Sequence, residues 1–187
     1  MKAVLMSVQP KGCELIASGK KTIEVRKTKP KLETPFKVYI YCTYGGGLIE
    51  ANDEILPNHL IEQKVSKYKT WGNCCNGKVI GEFVCDYITG LKANNIIQAY
   101  YNNTKETCLT DDEIKQYANN GKVYYWHISD LVIYDEPKEL SEFKKINRKC
   151  WYADLALAKR DCPECKNAEY FISRPPQSWC YVEGAVK

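Results

Sequence analysis

The residues best arranged for chemistry lie between Gly19 and Arg26, in the run Gly-Lys-Lys-Thr-Ile-Glu-Val-Arg. Side chains alternate along a strand, so a strand from Thr22 to Arg26 puts Thr22, Glu24 and Arg26 on one face and turns Ile23 and Val25 to the core. Lys21 stands at the strand entrance, where its flexible stem can carry the ammonium back over that polar row. An ammonium, a carboxylate and a planar guanidinium on one short surface suit a ligand bearing polar edges and negative charge. A solvated strand edge with an ion pair has the same spacing, and spacing by itself does not separate the two.

The charge around this run is uneven. The chain as a whole carries +4, from 27 basic and 23 acidic residues. From residue 20 to residue 31, Lys20, Lys21, Arg26, Lys27, Lys29 and Lys31 face only Glu24. Such an excess can draw in a phosphate backbone. A second basic group, Lys144, Lys145, Arg148 and Lys149, precedes Cys150. Either group also reads as a plain solvated face.

The elements that must position these side chains follow from turn and period signals. Residues 3–8 read as a first strand and 10–18 as a short helix, with Pro10 in its first turn and Gly19 just past its end. Strands are expected at 37–43, at 78–87 after the Asn76-Gly77 turn, and at 123–134 after Asn120-Gly121. Residues 93–101 read as helical. Thr110-Asp111-Asp112-Glu113 is a capping-box pattern that opens a helix through Ala118. Residues 50–76 show no period and read as an insertion. Gly45-Gly46-Gly47 lacks the following lysine and hydroxyl of a phosphate-binding loop and reads as a turn. Helices interleaved with antiparallel strands argue for an α+β barrel over a parallel sheet.

A chain of 187 residues, 44% hydrophobic and 12% aromatic, can bury a real core. Its start, Met1-Lys2-Ala3-Val4-Leu5-Met6, reads as a strand rather than a signal peptide. No apolar run approaches the ~20 residues of a membrane span. The expectation is a cytoplasmic protein with no membrane partner.

The pattern Gly19-x-Lys21-x-x-Glu24-x-Arg26, set after a strand and a helix, resembles the signature of the ASCH superfamily. Domains of that superfamily have a β-barrel related to the PUA domain of RNA-modifying enzymes. The order of strand, helix, motif strand and two further strands is similar to the family layout over residues 1–135. The resemblance implies a PUA-like β-barrel with flanking helices and a cleft beside the motif that binds RNA. Some small bacterial members are amidohydrolases that deacetylate N4-acetylcytidine with a lysine, a threonine and a glutamate. Lys21 and Arg26 match the pattern, whereas Glu24 stands where those hydrolases have threonine. Their glutamate precedes a late helix, and Glu106 is the carboxylate nearest that place. Thr22 carries a hydroxyl on the Glu24 face that could stand in for the missing one.

Residues 136–187 read as a C-terminal extension containing cysteines. With no secretory signal, the ten cysteines are expected to be reduced thiols. Cys162-Pro163-Glu164-Cys165 is a knuckle whose two thiolates can reach one zinc, and Cys150 and Cys180 could complete a tetrahedral site. A structural zinc there would supply folding free energy to a short segment; the alternative is that these are small buried hydrophobes. Cys13, Cys42, Cys85 and Cys108 fall in expected elements and read as core. The two histidines, His59 and His127, select no nucleophile partner, and a lone strand histidine such as His127 reads as structural. Among Tyr39, Tyr41, Tyr44, Tyr124, Tyr125 and Trp126, most read as core, with one or two free to stack on a base.

Three functions are therefore expected. The first is binding of RNA or a modified nucleotide or nucleoside, through Lys20, Lys21, Glu24, Arg26 and Lys27. The second is hydrolysis of an N4-acylated cytidine-type substrate, with Lys21 and Glu24 or Glu106 as acid and base. The third is a protein-interaction scaffold in which the polar row is only an ion-pair network.

Overall fold

A computed structural model describes residues 2–44, 76–92, 104–119, 121–146 and 171–184. Its elements are β1 (Lys2–Val8), α1 (Pro10–Ala17), β2 (Ile23–Arg26), β3 (Phe36–Cys42), β4 (Val79–Lys92), α2 (Thr104–Thr107), α3 (Asp111–Ala118), β5 (Lys122–Lys138), a 3-10 turn (Leu140–Glu142) and β6 (Trp179–Glu183). The expected helix at 93–101 and the insertion at 50–76 lie almost wholly outside the described residues. Among the described residues, no helix is long and apolar enough to cross a membrane.

The strands form one six-stranded sheet in the order β2-β5-β4-β3-β1-β6. The sheet is mixed. β1 runs parallel to β3, from Val4 opposite Val38 to Val8 opposite Cys42, and the other pairs are antiparallel. This corrects the expectation of antiparallel strands alone. The chain leaves β1 through α1 and β2 before it returns as β3, and such a crossover lays two strands side by side in the same direction. β6 is not among the strands expected from sequence. It pairs with β1 from Lys2 opposite Glu183 to Met6 opposite Trp179, so the extension after residue 135 contributes a strand to the sheet. β5 itself continues to Lys138.

The apolar run of β1 is buried on both faces, as its near-continuous hydrophobicity requires. On one face Val4, Met6 and Val8 join Val38, Ile40, Phe83 and Trp126 beneath Cys13 and Ile16 of α1. On the other, Ala3 and Leu5 pack with Tyr39, Tyr41, Leu140, Phe143 and Ile172. A third cluster, Ile23, Val25, Ile114, Ala118, Val123 and Tyr125, fastens α3 to the β2–β5 end of the sheet.

The long β4–β5 pair breaks register at three places, and Asp130 takes φ 46°. Bulges of this kind bend and twist a sheet. Here the bending brings its two ends together. Arg26 Nη2 on β2 donates to the Ser7 carbonyl of β1 at 2.7 Å, although three strands separate β2 from β1. Trp179 Nε1 on β6 donates to Thr28 Oγ1 at 3.0 Å, and Lys31 N donates to the Tyr181 hydroxyl at 2.7 Å. Side chains, and no backbone ladder among the described residues, join the ends.

Candidate functional site

The entry to the motif is a helix stop. Ser18 caps α1, Gly19 takes φ +72°, and Gly19 N donates to Ile16 O at 2.9 Å. Only glycine adopts that left-handed conformation without a Cβ penalty, and glycine is favoured just past a helix for this reason. Lys21 N then turns back to Leu15 O at 2.9 Å and Thr22 N to Glu106 O at 2.9 Å. The strand begins only at Ile23. Thr22 therefore precedes the strand, is exposed, and does not join Glu24 and Arg26 in the cleft that they line. That corrects the expected three-residue row.

Glu24 and Arg26 do point together, with Ile23 and Val25 in the third core cluster. The polar face is not a solvated edge. Lys21, Glu24 and Arg26 are 5%, 7% and 8% exposed. Lys21 Nζ lies 3.3 Å from Glu24 Oε2, and Arg26 Nη2 lies 2.9 Å from Glu24 Oε1. Lys21 Nζ also donates to the Thr107 carbonyl at 2.6 Å. One carboxylate thus bridges two cations, and each cation is anchored by a backbone carbonyl from a distant element. Among the described residues, only Nη2 of the guanidinium is engaged; the enclosed Nε has no partner.

These three side chains line a cleft of about 580 Å³. β1 and α1 supply one wall with Ser7, Lys11 and Gly12; the α2–α3 turn and α3 supply another with Cys108, Glu113 and Tyr117. Gln177 and Ser178, just before β6, complete it. They are held there because Ser7 N donates to Ser178 O at 2.9 Å and Ser7 Oγ to Pro176 O at 2.6 Å. Glu113 is the third helical residue after the Thr110 cap and completes the expected capping box. Its exposed carboxyl is held below the usual range by the hydrogen bonds from Thr110, with Lys11 and Lys21 adding to the effect.

The remaining candidates are scattered. Lys20 is exposed and outside the cleft, its carbonyl receiving the Cys108 thiol at 3.4 Å. Lys27 stands at the rim, its Nζ 5.0 Å from the centre of the Tyr117 ring. Glu106 is exposed and does not line the cleft; it supports the site through its carbonyl. Tyr39, Tyr41, Tyr125 and Trp126 are core, and Tyr44 is exposed. None of the six aromatics singled out from sequence lines the cleft; Tyr117 does. His127 stacks on Tyr87 with ring centres 3.5 Å apart, and burial lowers its pKa.

Of the cysteines, Cys13, Cys42 and Cys85 are buried as expected, and burial pushes the Cys85 thiol up to about 12. Cys108 departs from expectation. It is half-buried at φ 53° on the cleft wall, in the turn that carries Thr107 to Lys21. Cys150, Cys162 and Cys165 lie outside the described residues. Cys180 sits in β6 against the second core cluster, where burial pushes its thiol up.

Glu113, Tyr117, Gln177 and Ser178 are site residues that sequence reasoning does not single out. A signal for the first two exists: positions 113 and 117 are four apart on one helix, so they share a face. Nothing local marks the other two.

The fold has known counterparts. The chain is similar to the crystal structure of a point mutant of the ASCH protein of Zymomonas mobilis, at TM-score 0.51 and 20% identity over 98% of this chain and 91% of that one. It is also similar to a second point mutant of the same protein, at TM-score 0.52 and 18% identity over 97% and 88%. No protein-family model and no curated protein matches the sequence. At such identity the likeness establishes an ASCH-like α+β fold and carries no activity with it.

Proposed function

We propose that this ASCH-like chain binds a nucleotide or nucleoside, free or presented by RNA, in the cleft floored by Lys21, Glu24 and Arg26. The observation that carries this reading is the convergence of three charged side chains, each more than nine-tenths buried, on one cleft. Burying charge costs free energy, and an exposed ion pair would gain about as much from water. A network held below the surface by two backbone carbonyls is instead preorganised for a ligand. The cleft volume falls among those of small-molecule sites. Tyr117 on its wall offers a ring face for a base, and Lys27 at the rim adds positive charge. The three side-chain bonds between the sheet ends support reading the sheet as a barrel of the PUA type, which holds the cleft open at the seam.

Hydrolysis of an acylated cytidine is the weaker reading. Thr22 and Glu106, which it would recruit, stand outside the cleft, and both oxygens of Glu24 are already held by cations.

Calorimetric titration with a panel of ribonucleosides and their 5′-monophosphates tests the proposal. At least one member should bind, and Tyr117→Ala and Arg26→Ala should each weaken it tenfold or more. A panel in which no member binds the wild-type protein would reject it.

A further inference from the structure

The cleft floor is unbalanced in charge and one-sided in hydrogen bonding. Lys21 and Arg26 bring two positive charges and Glu24 one negative charge. The other charged residues that line the cleft, Lys11 and Glu113, are one of each sign, so the whole lining carries one net positive charge. Lys27 at the rim adds to it. The donors are in surplus too. An ammonium has three N–H groups and a guanidinium five. Thr107 O and Glu24 Oε2 occupy Lys21, while Ser7 O and Glu24 Oε1 occupy only Nη2 of Arg26. Nε of Arg26 is enclosed and has no acceptor among the described residues. Each Glu24 oxygen, by contrast, already receives a cation.

We infer that the floor of this cleft is an oxyanion subsite, in which Lys21 and Arg26 take a phosphate or carboxylate group of the ligand and Glu24 holds the two cations apart without touching the ligand. An anion with several acceptor oxygens supplies the missing countercharge and the missing acceptors together, and a guanidinium meets such a group with paired donors. A neutral base edge supplies acceptors but not the countercharge. The inference rests on the nucleotide-or-nucleoside reading for the rest of the ligand, but it makes its own demand: the charged group, not the base amine, meets the floor.

Three probes and one variant separate the possibilities. Cytidine, cytidine 5′-monophosphate and inorganic phosphate are titrated into the wild-type protein and into Glu24→Gln, with circular dichroism to confirm that the variant folds. The nucleotide should bind at least tenfold tighter than the nucleoside, phosphate should compete with it, and added salt should weaken it. Glu24→Gln leaves shape nearly unchanged and raises the net charge, so it should tighten the nucleotide and phosphate. Were Glu24 the acceptor for a base amine, the same change would weaken the nucleotide. Equal affinity for cytidine and its monophosphate, or weaker nucleotide binding in Glu24→Gln, overturns the subsite and leaves the nucleoside reading standing. Phosphate binding that Glu24→Gln tightens, with no gain from the nucleoside moiety, upholds the subsite and rejects that reading. Should Glu24→Gln not fold, Arg26→Lys takes its place: it keeps the charge and removes the fork, so nucleotide affinity should fall several-fold while cytidine is unaffected, and an unchanged nucleotide affinity overturns the subsite. If none of the three probes binds the wild type, both fall.

Discussion

A methyl group added to Gly12 would lie 2.9 Å from Val8 Cγ1, closer than real side chains approach. In isolation, alanine should stabilise a helix interior by about 1 kcal/mol over glycine. At this site the clash decides the sign, because Val8 is β-branched and stiff and lies in a buried strand. Overpacking of this kind costs typically ~1–3 kcal/mol. Gly12→Ala should therefore lower the midpoint of thermal unfolding; a rise would mean that α1 shifts freely on β1. Gly12 lines the cleft, and the helix rides there directly on the strand that supplies Ser7. That Lys21, Glu24 and Arg26 act together was legible from strand alternation and from Gly19. Their burial was not, because the carbonyls that anchor them, those of Ser7 and Thr107, come from remote parts of the chain. Breaking a buried charge network by removing one partner costs about 3–5 kcal/mol. Glu24→Ala, which strands two buried cations, should thus destabilise far more than Lys27→Ala at the exposed rim. Chemical denaturation of the two variants measures the difference, and equal losses would show that the network is solvated.

Between elements, the sheet is tied by a second polar knot distant from the cleft. Glu82 on β4 accepts from Lys37 of β3 at 2.5 Å and from Tyr134 of β5 at 2.6 Å, so one carboxylate joins three neighbouring strands. Burial alone would raise its pKa. The hydrogen bonds from Lys37 and Tyr134, with the charges of Lys37 and Lys138, outweigh burial and hold the carboxyl below its ordinary value. A folded-state pKa below the unfolded one stabilises the fold above the unfolded value and loses that contribution as pH falls through the folded value. Glu82→Gln should accordingly lose stability at neutral pH. The gap from wild type should close as both proteins are acidified below the ordinary glutamate range. A gap that stays constant with pH would mean that the knot acts by shape alone. At this scale the sequence was most readable where signals are local. The Pro10 start and Gly19 stop of α1, and the Thr110–Glu113 box of α3, are each settled within one turn of helix. The parallel β1–β3 pair and strand β6 were not readable. Pairing direction depends on a crossover, and β6 finds its partner at the opposite end of the chain, a separation that leaves no local trace.

For the whole molecule, the cleft lies where side chains link β2 and the segment after it to β1 and β6. Its last wall is carried by the far end of the chain. Trp179 is the hinge pin of that arrangement. Its indole donates to Thr28, its ring lies 6.0 Å from Trp126 in the main core and 5.4 Å from Tyr181, and it follows directly on Gln177 and Ser178 of the cleft wall. Truncating a large aromatic removes packing worth about 3–5 kcal/mol when the ring is wholly buried, and Trp179 is half-buried, so the lower part of that range applies. Trp179→Phe keeps most of the packing and loses only the bond to Thr28, for about 1 kcal/mol. The two variants therefore separate packing from closure. Trp179→Ala should loosen residues 176–183 from β1 and speed amide exchange at Ser7, whose N–H is bonded to Ser178 O. It should also weaken the ligand by loss of the Gln177–Ser178 wall, even though no atom of Trp179 lines the cleft. Trp179→Phe should leave exchange at Ser7 near the wild-type rate and bind the ligand nearly as well. If Trp179→Ala lowers overall stability but leaves both Ser7 exchange and ligand affinity unchanged, the terminal strand is only a staple on the sheet edge, and the cleft is complete without it.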